Sequence, residues 1–397
     1  MSQAERASPA SGGRPLGPVA AHDRLPQLED LPDVAGKRVL VRCDFNVAVR
    51  RGRVVNDQRI RAATPTLQWL VRRGAAVTVC THLGRPGGRV DPRLSLDHVR
   101  RVLHDLVPEA ALMENLRFSP GEEANDPAFV EVLVRDQDLF VNDAFATAHR
   151  SHASVVGPPT RMPAAAGRLL SREVEVLTAL RARPRRPFVA VLGGEARPEL
   201  IESIRSLVRF VDTVILGGRL AFSAVSALAV LAGDRGTARL AGSPVPPEVW
   251  AELVGSGRLV VPVDVVTVAD GDPGDARTYA SVPAGSQAVD IGHRSAARFG
   301  QILSRAGTIF WDGQMGDPDG PSCSAGTRAV AEAVAGSSAF TVVSGAATVD
   351  TVERLGLGAF FDHVSTGGAA SLELLRDGDL PGIRVLRHAA TRSAPAG

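Results

Sequence analysis

The sequence predicts an α/β protein of two lobes, each built on a parallel sheet with helices on both faces, and joined by a helix. Short apolar runs alternate with segments of helical spacing, and each run is continuously apolar, as a strand buried on both faces should be. A proline-rich break near residue 184 separates two series of such runs. The length of 397 residues is also too great for one ordinary core.

Strand-like runs and helical segments follow one another along both lobes. In the first lobe the runs lie at residues 38–43, 76–80 and 139–141, with helical spacing over 60–73. In the second they lie at residues 188–192, 213–216, 259–263, 308–311 and 340–343, with helical spacing over 201–211. A helical segment at 166–182 precedes the break and is predicted to link the lobes. The predicted divisions are a disordered tail at 1–24, a first lobe at 25–183 that includes the linking helix, a second lobe at 184–376, and a C-terminal segment and tail at 377–397.

The composition is that of a soluble globular protein, with 44% hydrophobic and 22% charged residues. The 45 basic and 43 acidic side chains nearly cancel, so nothing indicates a surface for nucleic acid. No apolar run is long enough to span a membrane, and residues 1–24 lack the apolar core of a signal peptide. These features predict a cytoplasmic protein. The cysteines, Cys43, Cys80 and Cys323, are too far apart for a metal site and too few and odd in number for a disulfide framework.

Polar side chains follow the first predicted strand. Asp44 and Asn46 come directly after the apolar run, where parallel sheets bind ligands, and Arg59 opens the next helical segment. Asp44 can accept from a hydroxyl, Asn46 can donate or accept, and Arg59 can form two hydrogen bonds to a carboxylate or phosphate. The three residues suit a small hydroxylated anion. Taken alone, a strand end followed by a solvated turn explains them equally well.

Further cations follow the later strands. His82 and Arg85 lie after the run at 76–80, on a loop whose glycines allow close approach of a ligand, and Arg117 and Arg150 come farther along. Each also has a purely structural explanation, such as a surface ion pair for Arg117. Their repeated placement beyond strands nevertheless predicts that they converge on one face of the first lobe.

Five stretches closely resemble the phosphoglycerate kinase family in content, order and spacing. They are Arg-Cys-Asp-Phe-Asn-Val at 42–47, Asp-Gln-Arg-Ile-Arg-Ala-Ala at 57–63, His-Leu-Gly-Arg-Pro at 82–86, Glu-Asn-Leu-Arg-Phe at 114–118 and Val-Asn-Asp-Ala-Phe-Ala-Thr-Ala-His-Arg at 141–150. The resemblance extends from about residue 25 to about residue 386. It implies two Rossmann-like lobes, with 3-phosphoglycerate or 1,3-bisphosphoglycerate on the first, MgADP or MgATP on the second, and hinge closure between them.

The resemblance also implies roles for individual positions. The acid-binding residues would be Asp44, Asn46, Arg59, His82, Arg85, Arg117 and Arg150, and all carry the expected residue type. The nucleotide-binding residues would be Gly193, Gly194, Arg197, Gly217, Gly218, Asp312, Asp319 and Thr348. Arg59, Gly345 and Gly368 would take part in catalysis.

The second lobe departs from the family pattern at its charged positions. The family's two lysines correspond to Ala196 and Leu200, with Arg197 one place out of register. Asp312 stands where the family has an amide, and Ala347 where it has the metal-binding aspartate, so no residue is assigned as a metal ligand. Arg219 replaces a glycine of the next loop. The resemblance thus implies Mg²⁺ and ATP or ADP as cofactors, while these substitutions count against their binding.

Two functions remain open from the sequence. One is a phosphoglycerate kinase-like phosphotransferase with a rebuilt donor site and reduced activity. The other is a paralogue without phosphoryl transfer to ADP, which either binds acids like 3-phosphoglycerate for sensing without turnover or handles a phosphoglyceryl compound by other chemistry in specialised metabolism. Either would bind a small phosphorylated acid, a nucleotide is expected only for the first, and the resemblance favours a monomer.

Overall fold

The computed structural model describes residues 24–234, 245–269, 272–317 and 325–393. The tail predicted at 1–24 therefore lies outside the described residues except for its last position, and so do Asp319 and Cys323. The chain divides into two compact units. We call the described residues 24–178 and 366–393 the N-lobe, and the described residues from 179 to 365 the C-lobe.

The N-lobe is built on a parallel sheet of five strands in the order β5-β4-β1-β6-β7. The strands of this lobe are β1 (Arg38–Arg42), β2 (Val49–Arg50), β3 (Arg53–Val54), β4 (Ala76–Cys80), β5 (Ala111–Leu112), β6 (Leu139–Asn142) and β7 (Ala164–Ala166). The short strands β2 and β3 form a separate antiparallel hairpin. The helices of the N-lobe are α1 (Gln58–Arg72), α2 (Asp97–Leu106), α3 (Pro120–Ala124), α4 (Pro127–Val134), α5 (Ala153–Val156) and α6 (Arg168–Ala182). Helix α6 carries the chain into the C-lobe. The central strands are buried, because both faces of the sheet are covered.

The C-lobe contains a parallel sheet of six strands in the order β10-β9-β8-β14-β15-β16. The strands of the lobe are β8 (Phe188–Leu192), β9 (Thr213–Leu216), β10 (Leu259–Val260), β11 (Val265–Ala269), β12 (Asp272–Tyr279), β13 (Ser286–Ile291), β14 (Thr308–Asp312), β15 (Phe340–Ser344) and β16 (His363–Val364). Its helices are α7 (Pro198–Leu207), α8 (Gly218–Leu231), α9 (Pro247–Gly255), α10 (His293–Leu303), α11 (Ala325–Ala335) and α12 (Ala346–Arg354). The predicted α/β class with parallel sheets is confirmed. The antiparallel sheet β12-β11-β13 was not predicted.

The last two helices, α13 (Ala369–Asp377) and α14 (Pro381–Ser393), belong to the N-lobe. Residues 366–376 were predicted in the second lobe, whereas in the structure they belong to the N-lobe. Thr366 donates from its amide and its hydroxyl to the Glu173 carboxylate at 2.6 and 2.8 Å, and Gly367 lies so close to the Phe145 ring that a Cβ would be 2.3 Å from it. These contacts attach the returning chain to the N-lobe.

Each parallel sheet has one point where the direction of winding reverses. In the N-lobe β1 lies between β4 and β6, and in the C-lobe β8 lies between β9 and β14. Ligands of open α/β sheets bind in the crevice beyond the carboxyl ends of the strands at such points. The chain segments after β1, β4 and β6, and those after β8 and β14, are therefore the places to look for a site. No helix among the described residues is long and apolar enough to cross a membrane.

Candidate active site

The segment after β1 supplies an ion pair at the carboxyl end of the N-lobe sheet. Asp44 is 8% exposed, and its Oδ2 accepts from the guanidinium of Arg59, the second residue of α1. The Arg59 side chain remains 29% exposed. A buried carboxylate thus holds an arginine whose outer surface can still reach a ligand.

The Asn46 side chain organises the neighbouring loop. Its Oδ1 accepts from the Gly84 amide at 2.9 Å, in the loop that follows β4. Gly84 has a positive φ of 63°, and a Cβ there would approach the Leu94 side chain to 2.8 Å, so the position requires glycine. His82 is buried at the start of this loop and Arg85 is exposed beyond it.

Arg117 is anchored against the same loop. Its guanidinium donates to the Gly84 carbonyl at 2.7 Å and its Nε lies 3.0 Å from the Glu123 carboxylate. The residue is only 5% exposed, and burial lowers its pKa. The nearby Arg150 lowers that pKa further, as does Arg42.

Four arginines act on His82. Desolvation lowers the His82 pKa far below its usual value, and the charges of Arg42, Arg117, Arg150 and Arg59 add to this effect in that order. His82 is therefore neutral at physiological pH. We call Arg42, Asp44, Arg59, His82, Arg117 and Arg150 the N-lobe cluster. Its arginines outnumber its single carboxylate, so it attracts an anion. Arg85 is not among the largest causes of the His82 pKa shift. The acid-binding role of each residue of the cluster stays a prediction.

Behind this cluster lies a buried layer that was not predicted from the sequence. Arg42 is 1% exposed and donates from Nε to the Ser154 hydroxyl at 2.9 Å. Glu122 is fully buried and accepts from the Ser154 amide at 2.9 Å and from its hydroxyl at 2.6 Å. The one signal available beforehand was an arginine at the end of the otherwise apolar run Val39–Val41.

The loops after β8 and β14 interlock at the carboxyl edge of the C-lobe sheet. The Gly193 amide donates to the Asp312 carbonyl at 2.9 Å, and a Cβ on Gly193 would lie 2.1 Å from the Gln314 carbonyl oxygen. Gly313 has a φ of 100° and packs equally closely on Gly193. Gly194 differs, because a Cβ there would meet nothing within 4 Å. The crevice is thus lined by backbone and has open space beside Gly194.

The start of α8 joins the same loops. Gly217 comes directly before the helix, and the Gly218 amide donates to the Met315 carbonyl at 2.8 Å. Arg219 is exposed and lies 3.4 Å from the Glu195 carboxylate. Surface pairs of this kind contribute little to stability, so the Arg219 guanidinium is available for another anion.

Asp312 places a carboxylate in this crevice at a position where the family resemblance implies an amide. Desolvation raises its pKa to about 6, against the opposing effects of the Ser344 hydroxyl and the Arg197 guanidinium. A Cβ on Gly345, whose φ is 84°, would lie 2.7 Å from the Asp312 carboxylate. Thr348 is buried, and its hydroxyl accepts from the Gly313 amide at 2.9 Å. The predicted nucleotide-binding hydroxyl of Thr348 therefore already has a partner within the protein.

The remaining predicted positions differ in how exposed they are. Ala347 is exposed in the first turn of α12, whereas Leu200 is 9% exposed within α7. No group of three or more metal-ligating side chains occurs among the described residues. Gly368, at the start of α13, has open space around it, as Gly194 has. The glycine loops leave open space beside Gly194, and position 347, where the family resemblance implies a metal-binding carboxylate, holds an alanine, so no step is assigned to a metal.

The comparisons with known proteins agree on one family. The sequence model of phosphoglycerate kinase matches residues 28–110 and 107–378. Phosphoglycerate kinase of Rubrobacter xylanophilus is 41% identical over 382 residues, covering 89% of this chain and 96% of the relative, and that of Moorella thermoacetica is 39% identical over 387 residues, covering 90% and 98%. Among solved structures, phosphoglycerate kinase from Coxiella burnetii has a TM-score of 0.79 at 32% identity, covering 92% of this chain and 100% of that one.

Proposed function

The chain belongs to the phosphoglycerate kinase family, and from this premise we propose that it transfers a phosphoryl group between ATP or ADP and the carboxyl group of 3-phosphoglycerate or a close analogue. We further propose that the acid is bound by the N-lobe and the nucleotide by the C-lobe loops. The altered charges of those loops reduce the rate relative to a family member that carries both lysines.

The N-lobe cluster is the observation that carries this proposal. Arg42, Arg59, Arg117 and Arg150 all act on the same neutral histidine, and Asp44 is the carboxylate among them. A ligand with a phosphate, a carboxylate and a hydroxyl would satisfy these groups, because guanidinium groups bind both anions and the carboxylate accepts from the hydroxyl.

Phosphoryl transfer requires positioning and positive charge more than covalent chemistry from the protein. Arg59 fits this requirement, since Asp44 holds its guanidinium at the sheet edge while 29% of its side chain stays exposed. Arg117 is fixed by the Gly84 carbonyl and orients the acid without moving. Asp44 accepts from the hydroxyl of the acid. The acid's carboxylate is itself the nucleophile, so the protein supplies no covalent intermediate.

The C-lobe loops supply a backbone-lined crevice for the phosphates of the nucleotide. Gly194 leaves room for close approach, and Arg197 and Arg219 are cations on its rim. When bound, Mg²⁺ neutralises the phosphate oxygens, and it is commonly held by one or two carboxylates together with the phosphates. Removing one positioned donor or cation commonly costs about 10²–10³ in rate, which is why we expect activity to be reduced.

The decisive experiment is a steady-state assay of the purified chain with 3-phosphoglycerate, ATP and Mg²⁺, coupled to NADH oxidation through glyceraldehyde-3-phosphate dehydrogenase. We expect turnover that depends on all three components. Arg59→Ala should lower kcat about 10²–10³-fold. Arg61→Ala is the matched control, since Arg61 lies on the same helix, is exposed and pairs with Asp57 at 2.8 Å.

Two outcomes would contradict the proposal. If 3-phosphoglycerate raised the melting temperature but no turnover occurred with any nucleotide, the chain would be an acid-binding protein without catalysis. Equal losses in Arg59→Ala and Arg61→Ala would show that Arg59 has no special role. Size-exclusion chromatography with light scattering tests the expected monomer.

A further inference from the structure

Arg42 is a buried cation with fixed partners on two sides. Its Nε donates to the Ser154 hydroxyl, which in turn donates to Glu122, so the charge of the arginine is balanced through one hydroxyl. Another of its nitrogens donates to the Cys43 carbonyl, and NH2 lies 3.3 Å from His82 Nδ1. With the residue 1% exposed, the guanidinium has no freedom to turn elsewhere.

The contact between Arg42 and His82 has only one chemical solution. A guanidinium carries five N–H donors, no acceptor, and never loses its charge in a protein. The His82 Nδ1 must therefore be the acceptor, and the imidazole, which is neutral, must carry its proton on Nε2. The Asp44 Oδ1 atom is 3.8 Å from Nδ1, too far for a hydrogen bond that would favour the other tautomer.

Within the part of the chain that the structure describes, His82 Nε2 makes no hydrogen bond. It is also absent from the buried polar atoms that lack a partner, which means that the atom is not fully buried. It is therefore accessible at the N-lobe cluster. A neutral histidine among arginines can help an anion only if the nitrogen that meets the anion carries the proton. With the opposite tautomer, the lone pair of Nε2 would repel the same anion.

We infer that Arg42 is a positioning residue, which holds His82 as the Nε2–H tautomer so that His82 donates a hydrogen bond to an anionic oxygen of the bound acid. Arg42 acts through His82 and not on the ligand. The inference rests on the proposed function for the identity of the acid, whereas the tautomer is a property of the free protein.

The tautomer can be measured directly on the full chain. Long-range ¹H–¹⁵N correlation spectra of protein labelled with ¹⁵N-histidine distinguish Nε2–H from Nδ1–H, and the His82 signals are those missing from His82→Gln. We expect a protonated Nε2 and an unprotonated Nδ1, unchanged between pH 5 and pH 8. Nδ1–H, or a shift of both nitrogens to the imidazolium pattern within that range, would overturn the inference.

Variants then test the role of each group. In Arg42→Lys the charge that balances Glu122 remains, but the rigid guanidinium that donates to Ser154 and His82 from separate nitrogens is lost, so we expect a mixture of tautomers in a folded protein. His82→Gln keeps an N–H near the Nε2 position and His82→Asn does not. We expect His82→Asn to weaken 3-phosphoglycerate binding, measured by calorimetry, about tenfold more than His82→Gln. Equal losses in the two variants would contradict the donor role.

The two proposals can fail separately. If His82 is the Nε2–H tautomer and 3-phosphoglycerate does not bind, the proposed function fails and the tautomer assignment stands. If 3-phosphoglycerate binds and turns over while His82 carries its proton on Nδ1, the inference about Arg42 fails and the proposed function stands. If Arg42→Lys melts far below the wild type, the wild-type spectrum and the Gln and Asn pair still decide the question.

Discussion

Replacing Asp312 by Asn should stabilise the C-lobe at alkaline pH and leave it unchanged at acid pH. Desolvation raises the Asp312 pKa from 3.8 to about 6, so the folded state binds the proton more tightly than the unfolded state. A carboxyl group with a raised pKa contributes stability that is fully present below pH 3.8 and is lost as the pH rises through 6. At pH 8 the full difference applies, and at 1.36 kcal/mol per pKa unit it amounts to about 3 kcal/mol.

The isosteric amide avoids this loss because it carries no charge to desolvate. For a lobe of this size, 3 kcal/mol corresponds to a rise in Tm of roughly 6–12 °C. Differential scanning calorimetry of wild type and Asp312→Asn between pH 4 and pH 8 measures the effect. We expect the Tm difference to grow between pH 4 and pH 6 and to level off above pH 6.

Asp290 provides the matched control. Burial also raises its pKa to about 6, but its two carboxylate oxygens accept from the Ile291 and Gly326 amides, each at 2.8 Å. Asn can offer only one of these acceptors, so at pH 8 the lost hydrogen bond should make Asp290→Asn less stabilising than Asp312→Asn. If Asp312→Asn gave the same Tm difference at pH 5 and pH 8, the reasoning from desolvation would be wrong.

Two further substitutions test the N-lobe interior and the metal position. Glu122→Gln should destabilise the N-lobe by about 1–3 kcal/mol in urea unfolding, because Glu122 is fully buried and accepts two hydrogen bonds from Ser154. The control is Glu123→Gln, next in sequence, whose side chain is 49% exposed and whose replacement should cost under about 1 kcal/mol. Equal costs for the two variants would contradict the role of the buried network. Ala347→Asp introduces a carboxylate at an exposed position in the first turn of α12, so the variant should fold normally. It should strengthen the Mg²⁺ dependence of turnover in the coupled assay. An unchanged Mg²⁺ dependence would show that position 347 does not reach the metal.

Much of the fold could be predicted because buried parallel strands leave a clear pattern. The runs at 76–80, 188–192 and 213–216 match β4, β8 and β9 to the residue. The strand predicted at 259–263 ends at Val260, two positions before a proline that has no N–H to pair. The antiparallel sheet was missed because β12 reads Asp-Pro-Gly-Asp at its start, residue types typical of turns.

The sequence predicted the site residues that stand at strand ends or helix starts, but not the residues that support them from elsewhere in the chain. Asp44 and His82 are polar residues that follow strand ends, and Arg59 opens the next helix, so their positions are visible in the sequence. The support for His82 comes from Arg42, which ends an apolar strand, and from Ser154, 112 residues farther along. No spacing rule links positions so far apart, so the tautomer of His82 could be found only from the folded structure.

The shape of the C-lobe crevice does not depend on its charged side chains. The loops are joined by backbone hydrogen bonds from Gly193 to Asp312, from Gly218 to Met315 and from Leu220 to Gly194, and none of these depends on a charged side chain. Charged side chains around the crevice can therefore change without loss of its shape. Leu200 shows the opposite case, since it is only 9% exposed and a lysine in its place would have to bury a charge at a cost. The N-lobe has no such separation, because arginines of the N-lobe cluster are also hydrogen-bonding partners within the lobe: Arg117 holds the loop at Gly84, and Arg42 holds His82. Replacing those arginines would therefore disturb the local fold as well as the charge of the cluster.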